Sequence, residues 1–167
     1  MNYDYELYKL SNQFIADYPS NLYPELLSKS SRPHYCLLIE THCDYFICVP
    51  FRSNIDHNNA FKFKNTRRSS KSKSGLDYSK VAIINNTNYL SSANVVIDKD
   101  EYNQAVHNIK TIAKEVCDYI DKYISHIKGE KVLHEKQYLR LYQYSTLPYF
   151  HDVLKLPVSE RKQLVSV

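Results

Sequence analysis

The sequence predicts an α+β fold in which a small, strongly curved antiparallel sheet or partial barrel is surrounded by helices. Three observations lead there. Two apolar runs, 35–39 and 45–49, flank the polar segment 40–44 and read as a β-hairpin, because β-branched and aromatic residues bounded by a polar stretch favour strand–turn–strand. Further short apolar runs at 81–84 and 95–97 follow at close spacing, and short strands sharing one apolar sheet curl or close to remove exposed edges. From 101 to 127 the apolar residues instead recur at helical spacing. At 167 residues the chain is long enough for one core and shows no composition break, so a single domain over 1–167 is expected.

In order along the chain, alternation over 5–10 predicts a short strand. Ser11 can cap a short helix over 12–18 that Pro19 closes. The Pro- and Ser-containing stretch 19–33 is a connection with one turn near 24–27. The hairpin follows, its second strand stopping at Pro50. Residues 58–75 are expected as an exposed loop or extended arm, ordered by a partner if at all. After the strands at 81–84 and 95–97, Asp98 or Asp100 caps one long helix over 101–127, closed by Lys128 and Gly129. A second helix is expected over 134–144. A third, over 148–156, would be capped by Ser145 or Thr146 and stopped by Pro157.

Composition narrows the function. Sixteen Tyr and six Phe with no Trp supply rings suited to core packing and to stacking on bases. Two Gly exclude a glycine-rich phosphate cradle, and no nucleophile elbow or HExxH helix is present. The net charge is only +4, but no acidic residue lies between Asp56 and Asp77, whereas Lys62, Lys64, Arg67, Arg68, Lys71 and Lys73 do. A like-charge run usually forms a solvated loop. Here Phe61 and Phe63 are interleaved with the lysines, and a basic segment carrying aromatic faces offers both phosphate and base contacts, so these six residues are the candidate RNA-binding set. The four Cys lack CxxC spacing; Cys36 and Cys48 read as buried hydrophobes, His42 beside Cys43 is too little for zinc, and no metal or other cofactor is expected. With no apolar leader or membrane-length segment, a reduced, cytoplasmic protein is expected.

The densest set of reactive side chains stands at the exit of the hairpin: Arg52, Ser53, Asp56 and His57. His, Ser, Arg and Lys beside a basic segment suit RNA cleavage by transesterification. In that chemistry the ribose 2′-hydroxyl attacks the adjacent phosphorus, one group takes a proton, another returns one, and cations hold the phosphoryl charge. Arg52 is the candidate phosphate clamp, Ser53 a donor to a phosphoryl oxygen, and His57 and His34 the proton-transfer groups. The competing structural roles are a turn cap for Ser53, an ion pair with Asp56 for Arg52, and a surface position for His57.

The blocks VPFRSNIDHNNAFKFK (49–64) and SGLDYSKVAIIN (74–85), with Pro33 ahead of the LIE-containing strand and a Ser three residues after Pro50, resemble the toxins of type III toxin–antitoxin systems, most closely the TenpN branch of the ToxN/AbiQ-like proteins. The resemblance covers about 32–97. It implies a strongly bent antiparallel sheet similar to the Kid/MazF toxins, metal-independent endoribonuclease activity on cellular or phage transcripts, and inhibition by a repeat-containing pseudoknot RNA antitoxin in closed toxin–RNA assemblies. It sets the family's catalytic serine on Ser53. The lysine two residues later falls on Ile55, which leaves His57 to replace it; another family lysine corresponds to His34, and Lys80 in LDYSK is a further candidate. The alternatives are a non-catalytic RNA-binding regulator and a DNA-binding repressor, the latter disfavoured by the absence of a helix-turn-helix pattern.

Overall fold

The computed structural model describes residues 5–26, 34–41, 43–92 and 95–160. Pro33, His42, the stretch 27–33 and the tail from 161 onward lie outside the described residues. Among the described residues the architecture is α+β: an open antiparallel sheet of seven strands carrying five α-helices.

Strand β1 (Tyr5–Leu10) leads through Ser11, whose Oγ accepts the Phe14 N–H, into α1 (Asn12–Asp17). The hairpin forms as expected from β2 (Tyr35–Glu40) and β3 (Phe46–Arg52), with Leu38 opposite Cys48. Beyond it lie β4 (Ala60–Lys62), α2 (Ser69–Ser72), β5 (Gly75–Asp77), β6 (Ala82–Ile84) and β7 (Leu90–Ser91). The strand order is β4-β5-β3-β2-β1-β7, with β6 on the same edge of β3 as β5. The strand does not stop at Pro50. That residue falls where β3 changes neighbours from β6 to β5, an irregularity at which a missing N–H is tolerated.

Four expectations are corrected. The segment 58–75 is not a loose arm: it contributes β4, α2 and β5, and its Phe63, Thr66 and Ser74 are buried. Residues 95–97 form no strand, and the last strand is β7 instead, paired to β1. The single long helix is two, α3 (Lys99–His107) and α4 (Ile109–Ile127). Between them Asn108 adopts φ −109°, ψ 16°, and its Nδ2 donates to the Gln104 carbonyl, the local competition with the helix ladder that Asn provides. After α5 (Glu135–Tyr142), residues 148–156 form no α-helix but a 3-10 turn, Leu147–Phe150, and further turns. Of the two candidate caps, Ser145 Oγ accepts the Leu147 N–H at 3.3 Å, whereas Thr146 does not cap the turn and its Oγ1 donates to the Val81 carbonyl.

The core joins Leu37, Ile39, Ile47, Val49 and Ile83 of the sheet to Ile112, Val116 and Ile120 of α4. Buried tyrosines keep their hydroxyls satisfied, as buried polar tips must. Tyr119 donates to the Leu141 carbonyl and Tyr142 to the Tyr119 carbonyl, both at 2.8 Å. Among the described residues, no helix is long and apolar enough to cross a membrane.

Candidate active site

Register decides what the hairpin exit presents. Gly75 of β5 is opposite both Arg52 and Lys62, and directly opposed residues share a sheet face. Asp77, two residues on from Gly75, lies on that same face. Gly75 is glycine because of close approach: a Cβ there would meet the Phe61 carbonyl oxygen at 2.4 Å. The alternate residues Phe51, Leu76 and Phe61 form the opposite face, and Ser53 lies one residue beyond the end of β3, where its Oγ meets Arg68 rather than Asp77. Arg52 and Ser53 therefore enter separate networks.

The first network centres on Asp77, which is 1% exposed. Its Oδ2 accepts from Arg52 Nη1 at 3.1 Å; its Oδ1 accepts from the Ser79 N–H at 3.0 Å and Oγ at 2.7 Å, and lies 3.3 Å from His57 Nε2. Burial, which alone raises this carboxyl, is outweighed by hydrogen bonds from His57 and Ser79 and by the His57 and Arg52 charges, so its pKa lies below the usual carboxylate value. On the other side of the ring, the Asn59 N–H donates to His57 Nδ1 at 3.2 Å. A backbone N–H can only donate, so the neutral ring carries its proton on Nε2, which faces Ser79 Oγ at 3.4 Å as well as Asp77. Arg52 and His57 keep 30% and 39% of their side-chain surface exposed. The Arg52–Asp56 pair that stood as the competing structural role does not form; Asp56 pairs with Lys73 at 2.8 Å.

The second network centres on Glu101, fully buried in the first turn of α3. It accepts from Ser74 Oγ, from Thr66 Oγ1 at 3.5 Å and from Arg68 Nη1 at 3.1 Å. Arg68 Nη2 in turn donates to Ser53 Oγ at 2.8 Å. Asn54, next in the chain, holds φ +58°, a left-handed turn open to Asn. It aims Ile55 into the core at 2% exposure, so the side chain at that position packs and does no chemistry.

The remaining candidates scatter. The His34 carbonyl accepts from the Leu10 N–H, and continuing the Cys36–Pro50 register by two residues sets His34 level with Arg52 at the same end of the sheet. Lys80 Nζ donates to the Tyr144 carbonyl, tying it to the residues after α5. Of the basic set, Arg68 is half-buried on Glu101 and Lys62 shares the Arg52 face, while Lys64, Arg67, Lys71 and Lys73 are exposed. Among the described residues no three His, Cys, Asp or Glu converge as a metal site.

Sequence reasoning passed over Asp77, Ser79, Asn59 and Glu101. Asp77 and Ser79 stand two apart at a strand end, the spacing of a side chain folding back on its own backbone, and that signal was readable. Glu101 carried only the sign of a favourable first-turn acid. Comparison with family models, with curated protein sequences and with solved structures returns no match in any of the three.

Proposed function

We propose that the chain is a metal-independent endoribonuclease, acting in the cytoplasm as the toxin of a type III toxin–antitoxin system of the TenpN, ToxN/AbiQ-like kind. The observation that carries this reading is the Arg52–Asp77–His57–Ser79 constellation, a partly exposed guanidinium and imidazole held by one buried carboxylate. The bent, Kid/MazF-like sheet, the pseudoknot RNA antitoxin and the closed toxin–RNA assembly belong to the same proposal.

The chemistry follows from the arrangement. Ser79 Oγ and Asp77, both facing Nε2–H, orient the ring and the carboxylate stabilises the imidazolium, leaving the Nδ1 lone pair to take the 2′-hydroxyl proton once substrate displaces the long Asn59 contact. The 2′-oxygen then bonds to phosphorus, the P–O5′ bond breaks, and a second group returns a proton to the leaving oxygen; His34, at the same end of the sheet, is the candidate donor. Arg52 holds the non-bridging oxygens, and Arg68 presents a second guanidinium beside Ser53. Lys62, Lys64, Arg67, Lys71 and Lys73 bind the flanking phosphates.

One observation favours the alternative, a non-catalytic RNA-binding regulator: both His57 nitrogens and Ser53 Oγ already have protein partners. The two readings separate when purified protein is incubated with transcript in EDTA. The enzyme reading expects cleavage that Arg52→Ala and His57→Ala abolish while RNA binding persists. Intact RNA with the unmodified protein, bound in a steeply salt-dependent way, would establish the regulator instead.

A further inference from the structure

A cleft of about 280 Å³ opens directly beside the His57 network, lined by Asn58, Asn59, Tyr78, Glu115, Lys122 and the Tyr142 ring among others. It lies just below the roughly 300–1,000 Å³ of drug-sized ligand pockets, a size suited to one heterocycle. The cleft is tied to the site through Asn59, whose N–H donates to His57 Nδ1 and whose carbonyl accepts the Tyr78 N–H at 3.0 Å. The polar lining is available. Glu115 Oε2 accepts the Tyr78 hydroxyl at 2.6 Å, and burial followed by that hydrogen bond raises the Tyr78 phenol, which stays a donor. Glu115 Oε1 and the side chains of Asn58, Asn59 and Lys122 have no hydrogen-bond or ion-pair partner among the described residues.

We infer that this cleft is a base subsite selecting guanine in the RNA that the Arg52–His57 site engages; the inference rests on the ribonuclease reading and names its substrate preference. The complementarity is specific. Guanine offers two adjacent donors, N1–H and N2–H, beside the O6 acceptor. A carboxylate takes the two donors, and an amide or ammonium donates to O6. Adenine turns the N1 lone pair toward the same carboxylate, and uracil and cytosine each present a single donor group on that edge. The buried rings of Tyr78, Tyr119 and Tyr142 form the apolar floor of the cleft, against which the edge of a base rests.

The test is titration of the full chain with 3′-GMP, 3′-AMP, 3′-UMP and 3′-CMP, followed by calorimetry and amide NMR shifts. GMP is expected to bind at least about fivefold more tightly than the others, the smaller end of what one bidentate base contact discriminates. It should shift the Asn58 and Asn59 resonances. Glu115→Gln should erase the preference while leaving the common phosphate affinity, and Asn58→Ala, at an exposed position, should weaken GMP selectively. Arg52→Ala should weaken all four nucleotides and keep their ratio. Equal affinity for the four, or a guanine preference that survives Glu115→Gln, overturns the subsite. Guanine-selective binding by a protein that cuts no RNA would sink the ribonuclease reading and leave the subsite standing; cutting without base preference would do the reverse.

Discussion

Asp77→Asn is the substitution that most sharply separates a designed network from a chance contact. Asn keeps the volume and an oxygen for Ser79, but it removes the charge and turns an amide N–H₂ toward the Arg52 guanidinium or the His57 Nε2–H. Two charge-assisted bonds, each worth about 1.5–3 kcal/mol, are weakened; Arg52 and His57 are partly exposed and recover hydration, leaving a net loss of about 2 kcal/mol. For a chain of this length that is a fall in Tm of roughly 4–8 °C. The pH dependence has a defined sign. The folded-state pKa of Asp77 is lowered, so its stabilisation is complete above the unfolded value of about 3.9 and is lost as pH falls through the folded value. Urea midpoints at pH 7 and pH 3 should therefore show a gap between the unmodified protein and Asp77→Asn that narrows at the lower pH. Cleavage should drop about 100-fold from loss of phosphate and base positioning. Coincident midpoints at pH 7, or a gap undiminished at pH 3, would refute the reasoning.

Other substitutions probe the surrounding architecture. Glu101→Gln sets an amide donor against Arg68 in a fully buried site and should cost about 1–3 kcal/mol, read by thermal melting, with cleavage lost through the misplaced Arg68 beside Ser53. Gly75→Ala forces β4 from β5 at the Phe61 carbonyl and should destabilise by about 1–3 kcal/mol in urea unfolding, whereas Lys62→Ala on the same face should leave stability within about 0.5 kcal/mol. Removing Lys71 and Lys73 together should weaken RNA binding uniformly across sequences and reduce the slope of log K against log salt by about 2.

How far the residues foretold this arrangement depends on how local each determinant is. The hairpin was legible because its β-branched runs and intervening polar turn lie within twenty residues. The Asp98 cap and the stripe of α4 were legible for the same reason. The break at Asn108 was not: Val106, Ile109 and Ile112 keep the apolar period across it, and a side-chain bond to Gln104 leaves no trace in periodicity. The segment 58–75 reads as solvated by its charge. Its order comes from Glu101, twenty-six or more residues away in the chain, which draws Thr66, Arg68 and Ser74 inward. Likewise Arg52 and His57 were visible as reactive side chains, but their shared carboxylate arrives only through the pairing of β3 with β5. The strand also ends between Arg52 and Ser53, so Arg52 pairs with Asp77 while its neighbour Ser53 bonds Arg68.

The central claim, that side chains alone carry out transesterification at the exit of β3, is tested most directly by the chemistry of the RNA ends. Fragments produced in EDTA should carry 2′,3′-cyclic phosphates and 5′-hydroxyls, and should vanish with His57→Ala. Fragments with 3′-hydroxyl and 5′-phosphate ends, or cutting that needs a divalent ion, would contradict it.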